Sequence, residues 1–255
     1  MSHTQRLVCL AVLSLAACAA TDTTSGPAAG SFELQMEREV DGQRYHYLLE
    51  VPGAAERPDD GWPLLVFLHG AGERGEDLSR VGIHGPVGLV GEVPELGACL
   101  LAAPQCPGGG WWQTGALTAL VDELLTRPDV DPDRVYLTGL SMGGYGTWNL
   151  LAASPERFAA AVPICGGGQT GRLWPEWPND FELDELLRAK DVPIRVFHGE
   201  ADELIPAEES RVLVDALREV GTDVELTIYP GVGHDSWTQT YAEPDLYTWM
   251  FAQSR

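Results

Sequence analysis

The chain has 255 residues, enough for one or two domains, and 44% of them are hydrophobic, which supports a sizeable core and excludes broad disorder. Its 38 acidic residues outnumber the 16 Lys and Arg residues, so the formal net charge is −22. Because a field of this sign repels phosphate polyanions, we expect no nucleic-acid partner.

The N-terminal region has the pattern of a targeting segment. Arg6 precedes the apolar stretch "LVCLAVLSLAA", which is shorter than the roughly 20 residues needed to span a bilayer. The stretch ends in "LAAC", which resembles the bacterial lipoprotein cleavage box and implies a signal peptide over 1–17 and acylation of Cys18. An ordinary secretory signal cut near Ala20 is the alternative.

The segment 18–31, "CAATDTTSGPAAGS", is predicted to be a flexible tether. The resemblance implies a protein attached to a membrane of the bacterial cell envelope through a lipid on Cys18. Ala19 rather than Asp follows this Cys, which favours the outer membrane.

From residue 32 onward, strand-like and helix-like segments follow one another. "FELQMEREV" and "RYHYLLEVP" flank "DGQ", which predicts a hairpin. Six continuous apolar runs follow, at 63–70, 98–105, 134–141, 159–167, 193–200 and 224–231. Continuous apolarity is typical of parallel strands buried on both faces, and "GALTALVDELLTR" and "AEESRVLVDALREV" have helical spacing. We predict one α/β domain over 32–255, with a doubly wound, mostly parallel sheet of about eight strands.

The run at 134–141 ends in "GLSMG", a G-x-S-x-G pattern with Gly139 and Gly143 on either side of Ser141. A sharp strand-to-helix turn exposes the Ser hydroxyl, and small residues two positions away avoid a collision there. The next segment, "MGGYGTWNLLAA", predicts a helix whose first N–H groups favour a developing anion. This context indicates a nucleophile rather than ordinary loop material.

A nucleophilic Ser needs a base and an acid that orients the base. "HGEADELIP" ends the run at 193–200, and "YPGVGHDSW" ends the run at 224–231, so His234 is the candidate base. Spacing alone leaves four candidate acids, which are Glu200, Asp202, Glu203 and Asp235. His198 is interpreted as a support of the acid turn.

The set "FLHGAG", "GLSMGG", "HGEAD" and "GVGH" resembles the α/β-hydrolase superfamily over nearly the whole predicted domain. "FLHGAGERGEDLSRVGIHGP" with "PQCPGGGWW" is similar to bacterial carboxylesterases of the phospholipase/carboxylesterase and feruloyl-esterase-like groups, and to sequences labelled prolyl-oligopeptidase-like. Cys-dependent dienelactone hydrolases share this fold, but here Ser occupies the nucleophile position.

The resemblance implies the α/β-hydrolase fold and a set of site residues. Its catalytic triad would be Ser141, Asp202 and His234, with an oxyanion hole made by the backbone amides of Ala71 and Met142. His69 would brace the oxyanion loop. Neither a metal nor an organic cofactor is needed for this chemistry.

Aromatic residues near the expected site are candidates for substrate binding. Trp111 and Trp112 lie in "GGGWWQ", and Trp174 and Trp177 lie in "GRLWPEWPND". They would line a cleft for a sugar or a phenolic acyl group, or alternatively anchor loops in the core. Cys106 and Cys165 also follow strands at this end, and a bridge between them is a hypothesis, although the expected sheet order places two strands between them.

The leading hypothesis is therefore a serine esterase that acts on a small-molecule or carbohydrate ester, including short-chain and feruloyl esters. A prolyl-oligopeptidase-like peptidase is the second hypothesis, although such enzymes usually carry a large gating domain. A catalytically inactive surface binding protein is the third, and it is disfavoured because Ser141, Asp202 and His234 are all retained.

Overall fold

A computed structural model describes residues 30–53, 57–168 and 181–255, which form an eight-stranded sheet and its flanking helices. The strands are β1 Gly30–Gln35, β2 His46–Val51, β3 Trp62–Leu68, β4 Leu100–Gln105, β5 Val130–Leu140, β6 Ala160–Ile164, β7 Ile194–Gly199 and β8 Val224–Tyr229. The helices are α1 Thr114–Leu125, α2 Met142–Ala153, α3 Leu183–Leu186, α4 Glu208–Glu219, α5 Trp237–Tyr241 and α6 Pro244–Phe251.

The strand order is β1-β2-β4-β3-β5-β6-β7-β8. Strands β1, β2 and β4 pair antiparallel, and every pair from β4 to β8 is parallel. The predicted α/β class and the mostly parallel eight-stranded sheet are therefore confirmed.

The first strand begins at Gly30, which pairs with Val51, so it starts inside the range 18–31 predicted as a tether. The predicted "DGQ" turn lies between β1 and β2, where Asp41 and Gly42 have φ of 53° and 75°. Both values suit a two-residue hairpin turn, and Val40 bridges Gln43 across it. The predicted signal peptide and Cys18 lie outside the described residues.

The central strands are buried on both faces, as their continuous apolarity predicts. In β3, Leu64, Val66 and Leu68 pack into one core cluster, whereas Leu65 and Phe67 pack into a second cluster on the opposite face. This division follows the two-residue side-chain period of a strand.

Different elements cover the two faces of the sheet. The first cluster contains side chains from α1, α2, α3 and α4. The second contains side chains from α5, α6 and the segment 71–98, which includes four short 3-10 turns. None of the described helices is long and apolar enough to span a bilayer.

The chain changes direction across the sheet at β3. From β3 it passes to β4 on one side, and β5 then lies on the other side of β3. In open parallel sheets, the crevice at the carboxyl ends of the strands beside such a switch point is the usual ligand site. Segments that follow β3 and β5 meet there, so this edge of the sheet is where a functional site is expected.

Candidate active site

Ser141 lies on the sharp turn between β5 and α2, with φ 54° and ψ −117°. Such a backbone conformation in a non-glycine residue costs about 1–3 kcal/mol and is concentrated at functional sites. The turn is held by the surrounding structure, since the Ser141 amide donates to the carbonyl of Ile164 at 3.0 Å. The sequence pattern therefore predicted the turn correctly.

Gly139 and Gly143 make this turn sterically possible. A Cβ at Gly139 would lie 2.3 Å from the carbonyl oxygen of Gly143, and a Cβ at Gly143 would lie 1.8 Å from the carbonyl oxygen of Leu68. Both distances are shorter than any real contact of a methyl group. The second glycine thus brings the start of α2 directly against the end of β3.

The structure brings together the three side chains predicted to form a triad. Nε2 of His234 lies 2.9 Å from Oγ of Ser141, and Nδ1 of His234 lies 2.7 Å from Oδ2 of Asp202. Ser141 follows β5, Asp202 follows β7 and His234 follows β8, so parallel strands place all three at one edge. We call this arrangement the Ser–His–Asp row.

Asp202 is the one of the four candidate acids that contacts His234. Burial by itself raises the pKa of this carboxyl group, but hydrogen bonds from His198, His234 and the amide of Ile205 outweigh burial and hold the pKa well below its usual range. Its Oδ1 accepts from the amides of Leu204 and Ile205 at 2.9 and 2.8 Å. Asp202 is therefore a fixed carboxylate.

The other three candidate acids lie on the surface. The carboxylate of Glu200 accepts from the amide of Gly231 at 3.0 Å, and that of Asp235 accepts from the amide of Thr238 at 3.0 Å. Glu203 is exposed. These contacts stabilise local turns and the start of α5.

His198 supports the acid turn, as predicted. It is fully buried, and its Nε2 lies 2.8 Å from the carbonyl oxygen of Ile205 and 3.3 Å from Oδ2 of Asp202. Its Nδ1 lies 2.8 Å from Oγ of Ser210 on α4. The imidazole thus ties the turn that carries Asp202 to a helix of the scaffold.

Ala71 and Met142, predicted to supply the oxyanion hole, follow β3 and Ser141 respectively. A Cβ at Gly70 would lie 2.8 Å from Cδ1 of Leu140, so the loop that carries Ala71 packs against the end of β5. Arg74 fixes this loop, because its Nε donates to the carbonyl of Ala71 at 2.9 Å and one terminal nitrogen donates to that of Gly110 at 2.9 Å. Sequence reasoning missed this role of Arg74.

The prediction that Trp112 lines a substrate cleft is wrong. Its side chain is fully buried, its Nε1 donates to the carbonyl of His69 at 3.3 Å, and its ring packs on Tyr45 and His69. Trp111 is partly buried, with its ring 6.0 Å from that of Tyr145. Trp174 and Trp177 lie outside the described residues.

The hypothesis of a bridge between Cys106 and Cys165 is also wrong, because Cys99, Cys106 and Cys165 are all free and buried. Strands β3 and β5 lie between the two strands that precede these residues. Three steps of about 4.8 Å separate such positions by about 14 Å, whereas a disulfide requires Cα atoms within about 7 Å.

Within the described part of the chain, no group of three or more His, Cys, Asp or Glu residues is placed to hold a metal ion.

His69 in its neutral form braces the loop that carries Ala71, the residue predicted to supply part of an oxyanion hole. Its Nδ1 donates to the carbonyl of Gly70 at 2.6 Å, and its Nε2 accepts from the amide of Cys106 at 3.0 Å. Burial lowers the pKa of this imidazole from 6.5 to about 4. Protonation of Nε2 would break the hydrogen bond that it accepts from the amide of Cys106.

We expect His69 to make the protein less stable as the pH falls from about 6.5 to about 4. In this range the unfolded chain binds a proton that the folded protein does not, which amounts to about 3 kcal/mol of unfolding free energy. Between pH 7 and pH 4, the unfolding free energy of His69→Gln should fall by about 3 kcal/mol less than that of the wild type. Urea unfolding at several pH values tests this, and parallel curves for the two proteins over that range would contradict it.

One aromatic contact to the Ser–His–Asp row was also missed from the sequence. The ring of Trp237 meets the imidazole of His234 edge to face, with centroids 5.3 Å apart. The available signal was its position in "GHDSW", directly after the candidate base.

Comparison with known proteins identifies relatives of two activity classes. Dipeptidyl-peptidase 5 of Porphyromonas gingivalis is 31% identical over 150 residues, which are 49% of this chain and 22% of that protein. Acyl-protein thioesterase 1 of Gibberella zeae is 24% identical over 223 residues, which are 72% of this chain and 88% of that protein. The chain spans about a fifth of the length of the peptidase relatives that it matches.

Solved structures share the fold. A thermostable esterase superposes with a TM-score of 0.71 and 36% identity, covering 88% of this chain and 63% of that chain. The sequence profile of the dienelactone hydrolase family matches residues 113–247, a segment that includes all three side chains of the Ser–His–Asp row. Since this segment is more than half of the sequence, the chain belongs to the dienelactone hydrolase family, within the α/β-hydrolase superfamily.

Proposed function

We propose that this protein is a serine esterase that hydrolyses carboxylic esters with short or carbohydrate-linked acyl groups, feruloyl groups among them. The observation that carries the proposal is the continuous hydrogen-bonded row from Ser141 Oγ to His234 and on to Asp202, with distances of 2.9 and 2.7 Å. A hydroxyl, an imidazole and a buried carboxylate in this order are the parts needed for nucleophilic acyl transfer.

In the proposed first half-reaction, Oγ of Ser141 attacks the ester carbonyl carbon while Nε2 of His234 takes the hydroxyl proton. The carboxylate of Asp202 accepts from Nδ1 of His234, which keeps Nε2 free to act as the base and offsets the charge of the imidazolium. The tetrahedral intermediate then expels the alcohol, whose oxygen receives the proton from Nε2. The product is an acyl-enzyme on Ser141.

The second half-reaction replaces the alcohol with water. His234 takes a proton from water as it attacks the acyl-enzyme, and returns that proton to Oγ of Ser141 when the acid leaves. In both halves, the amides of Ala71 and Met142 would donate to the oxyanion. One such donor typically contributes about 100- to 1,000-fold in rate.

The similarities to known proteins support ester hydrolysis as the reaction, but they do not define the substrate. The names of the solved esterase and the acyl-protein thioesterase indicate enzymes that act on acyl groups bound to oxygen or sulfur. Each of the two matches covers most of this chain. Trp111 stays a candidate for contact with the acyl group, since it is partly buried near Tyr145, which follows Ser141 on α2. Trp174 stays a prediction from the sequence.

The experiment that tests the proposal is a panel of esters and one amide, assayed with the purified protein. The panel contains p-nitrophenyl acetate, longer p-nitrophenyl esters, acetylated xylan, methyl ferulate and a prolyl p-nitroanilide. We expect the highest kcat/KM on short-chain or feruloyl esters. If the protein hydrolysed no ester of the panel, the proposal would be overturned.

A peptidase is the second candidate, because dipeptidyl-peptidase 5 and another peptidase relative match this chain. The same panel separates the two, since faster cleavage of the prolyl amide than of the esters would establish the peptidase. A fluorophosphonate probe separates both enzymes from an inactive binding protein. Covalent labelling of Ser141, read by peptide mass, is expected of either enzyme and not of the binding protein.

We further propose that the protein is held in the bacterial cell envelope by a lipid on Cys18, with the outer membrane as the expected site. The support is the "LAAC" sequence after an apolar stretch. Growth with radiolabelled palmitate should label the wild type and leave Cys18→Ser unlabelled. Equal labelling of both proteins, or of neither, would contradict the anchor.

A further inference from the structure

Trp237 connects the Ser–His–Asp row to a second part of the structure. Its ring is nearly perpendicular to that of His234, with centroids 5.3 Å apart, and its centroid is also 5.6 Å from that of His84. His84 belongs to the segment 82–89, in the connection between β3 and β4. The base and this segment therefore share one aromatic side chain.

A small cavity of about 180 Å³ lies between the segment 82–89 and α5. Its apolar wall is formed by Ile83, Leu89, Trp237 and Tyr241. Gly82, Gly85 and Gly88 contribute backbone atoms to its lining. We call this cavity the ring subsite.

One edge of the ring subsite is polar. The imidazole of His84 lines it, with 39% of the side chain exposed, and its Nε2 is 3.9 Å from a carboxylate oxygen of the buried Glu73. Glu73 ends the 3-10 turn that begins at Ala71, so this edge adjoins the proposed oxyanion loop. Thr238 of α5 lines the cavity as well. A bound group would thus meet the apolar side chains of Ile83, Leu89, Trp237 and Tyr241, and two side chains that can form hydrogen bonds, His84 and Thr238.

The size of the ring subsite limits what it can hold. An apolar cavity of about 150 Å³ accommodates benzene, so about 180 Å³ fits one six-membered ring with a small substituent. An aromatic wall opposite branched aliphatic side chains suits a flat ring.

The position beside His234 indicates which half of an ester enters. In the proposed mechanism, Nε2 of His234 protonates the oxygen of the leaving alcohol, so the group on that oxygen extends past the imidazole. The ring of Trp237 stands perpendicular to this same imidazole, with the two centroids 5.3 Å apart. We infer that the ring subsite binds an aromatic ring carried by the alcohol of the ester. This inference rests on the proposed esterase function.

Three small esters test this inference. Benzyl acetate carries the ring on the alcohol, methyl phenylacetate carries it on the acyl group, and methyl acetate has no ring. We expect the wild type to hydrolyse benzyl acetate with a kcat/KM at least tenfold above that for methyl acetate. One methylene more or less on a substrate in a hydrophobic pocket typically changes kcat/KM by about 10-fold or more, and benzyl acetate adds a whole ring.

Two variants locate the effect. Ile83→Ala removes part of the apolar wall and Leu89→Trp fills the cavity, and each should lower kcat/KM for benzyl acetate about 5- to 20-fold, mainly through KM. The values for methyl acetate and methyl phenylacetate should stay within twofold. Val220→Ala, which truncates an exposed side chain at the end of α4, is the matched control and should change none of the three.

A binding measurement separates failure of this inference from failure of the esterase proposal. 4-Fluorobenzyl alcohol, followed by ¹⁹F NMR, should bind Ser141→Ala and bind Ser141→Ala/Leu89→Trp at least fivefold more weakly, whether or not the wild type hydrolyses esters. Equal binding by the two proteins would overturn the ring subsite. If the variants instead reduced kcat/KM for methyl phenylacetate alone, the ring would enter with the acyl group, and the assignment to the alcohol would be wrong.

Discussion

Replacing Ser141 with Ala should lower kcat for ester hydrolysis by about 10⁶-fold, the loss found when a triad nucleophile is removed from a serine hydrolase. The substitution deletes the one atom that would form the acyl-enzyme, Oγ, which lies 2.9 Å from Nε2 of His234. The proposed oxyanion donors and the binding surface remain, so about 10³- to 10⁴-fold catalysis over water should persist. The measurement is kcat on p-nitrophenyl acetate after removal of trace wild-type activity.

Stability serves as the control for this variant. Ala at position 141 must adopt the same strained turn, and the backbone bond to Ile164 does not involve the side chain, so the unfolding free energy should change by less than about 1 kcal/mol. Ser254→Ala, at an exposed serine near the C-terminus, should keep full activity. A Ser141→Ala protein that retains a tenth of wild-type kcat would exclude Ser141 as the nucleophile.

The sheet was predictable because the continuous apolar sequences of its strands indicate burial on both faces. The runs at 63–70 and 134–141 are apolar on both alternating sets of positions, which suits only strands covered on both faces. The site followed from the same feature, since residues after parallel strands meet at one edge. The family resemblance then selected Asp202 among four nearby acids, a choice that spacing alone did not allow.

Contacts between distant segments were harder to predict. Nothing in "GGGWWQ" separates Trp111 from Trp112, and the burial of Trp112 depends on Tyr45 and His69, which lie far away in the sequence. The contact of His84 with Trp237 likewise joins two irregular segments that have no periodic pattern. Short 3-10 turns in 71–98 lack the long periodicity that identifies helices.

Replacing Asp202 with Asn should lower kcat by about 10⁴-fold, through the tautomer of His234 rather than through the fold. Oδ1 of Asp202 accepts from the amides of Leu204 and Ile205. Oδ2 accepts from Nδ1 of His234 at 2.7 Å and lies farther, 3.3 Å, from Nε2 of His198. An Asn side chain can accept from the two amides only by turning its NH₂ group toward His234. Nδ1 must then accept, the proton moves to Nε2, and Nε2 can no longer take the proton of Ser141.

The opposite orientation of the Asn amide is excluded by the same hydrogen bonds, because its NH₂ group would face the N–H donors of Leu204 and Ile205. The variant should therefore bind substrate with a KM within about threefold of the wild type and react with a fluorophosphonate at a rate reduced in parallel with kcat. Asp235→Asn is the matched control, since Asp235 adjoins His234 but its exposed carboxylate bonds to Thr238, a role that Asn fills equally well. If Asp235→Asn lost activity while Asp202→Asn kept more than a tenth of it, the orienting acid would be Asp235, and the short contact of His234 with Asp202 would have to be structural.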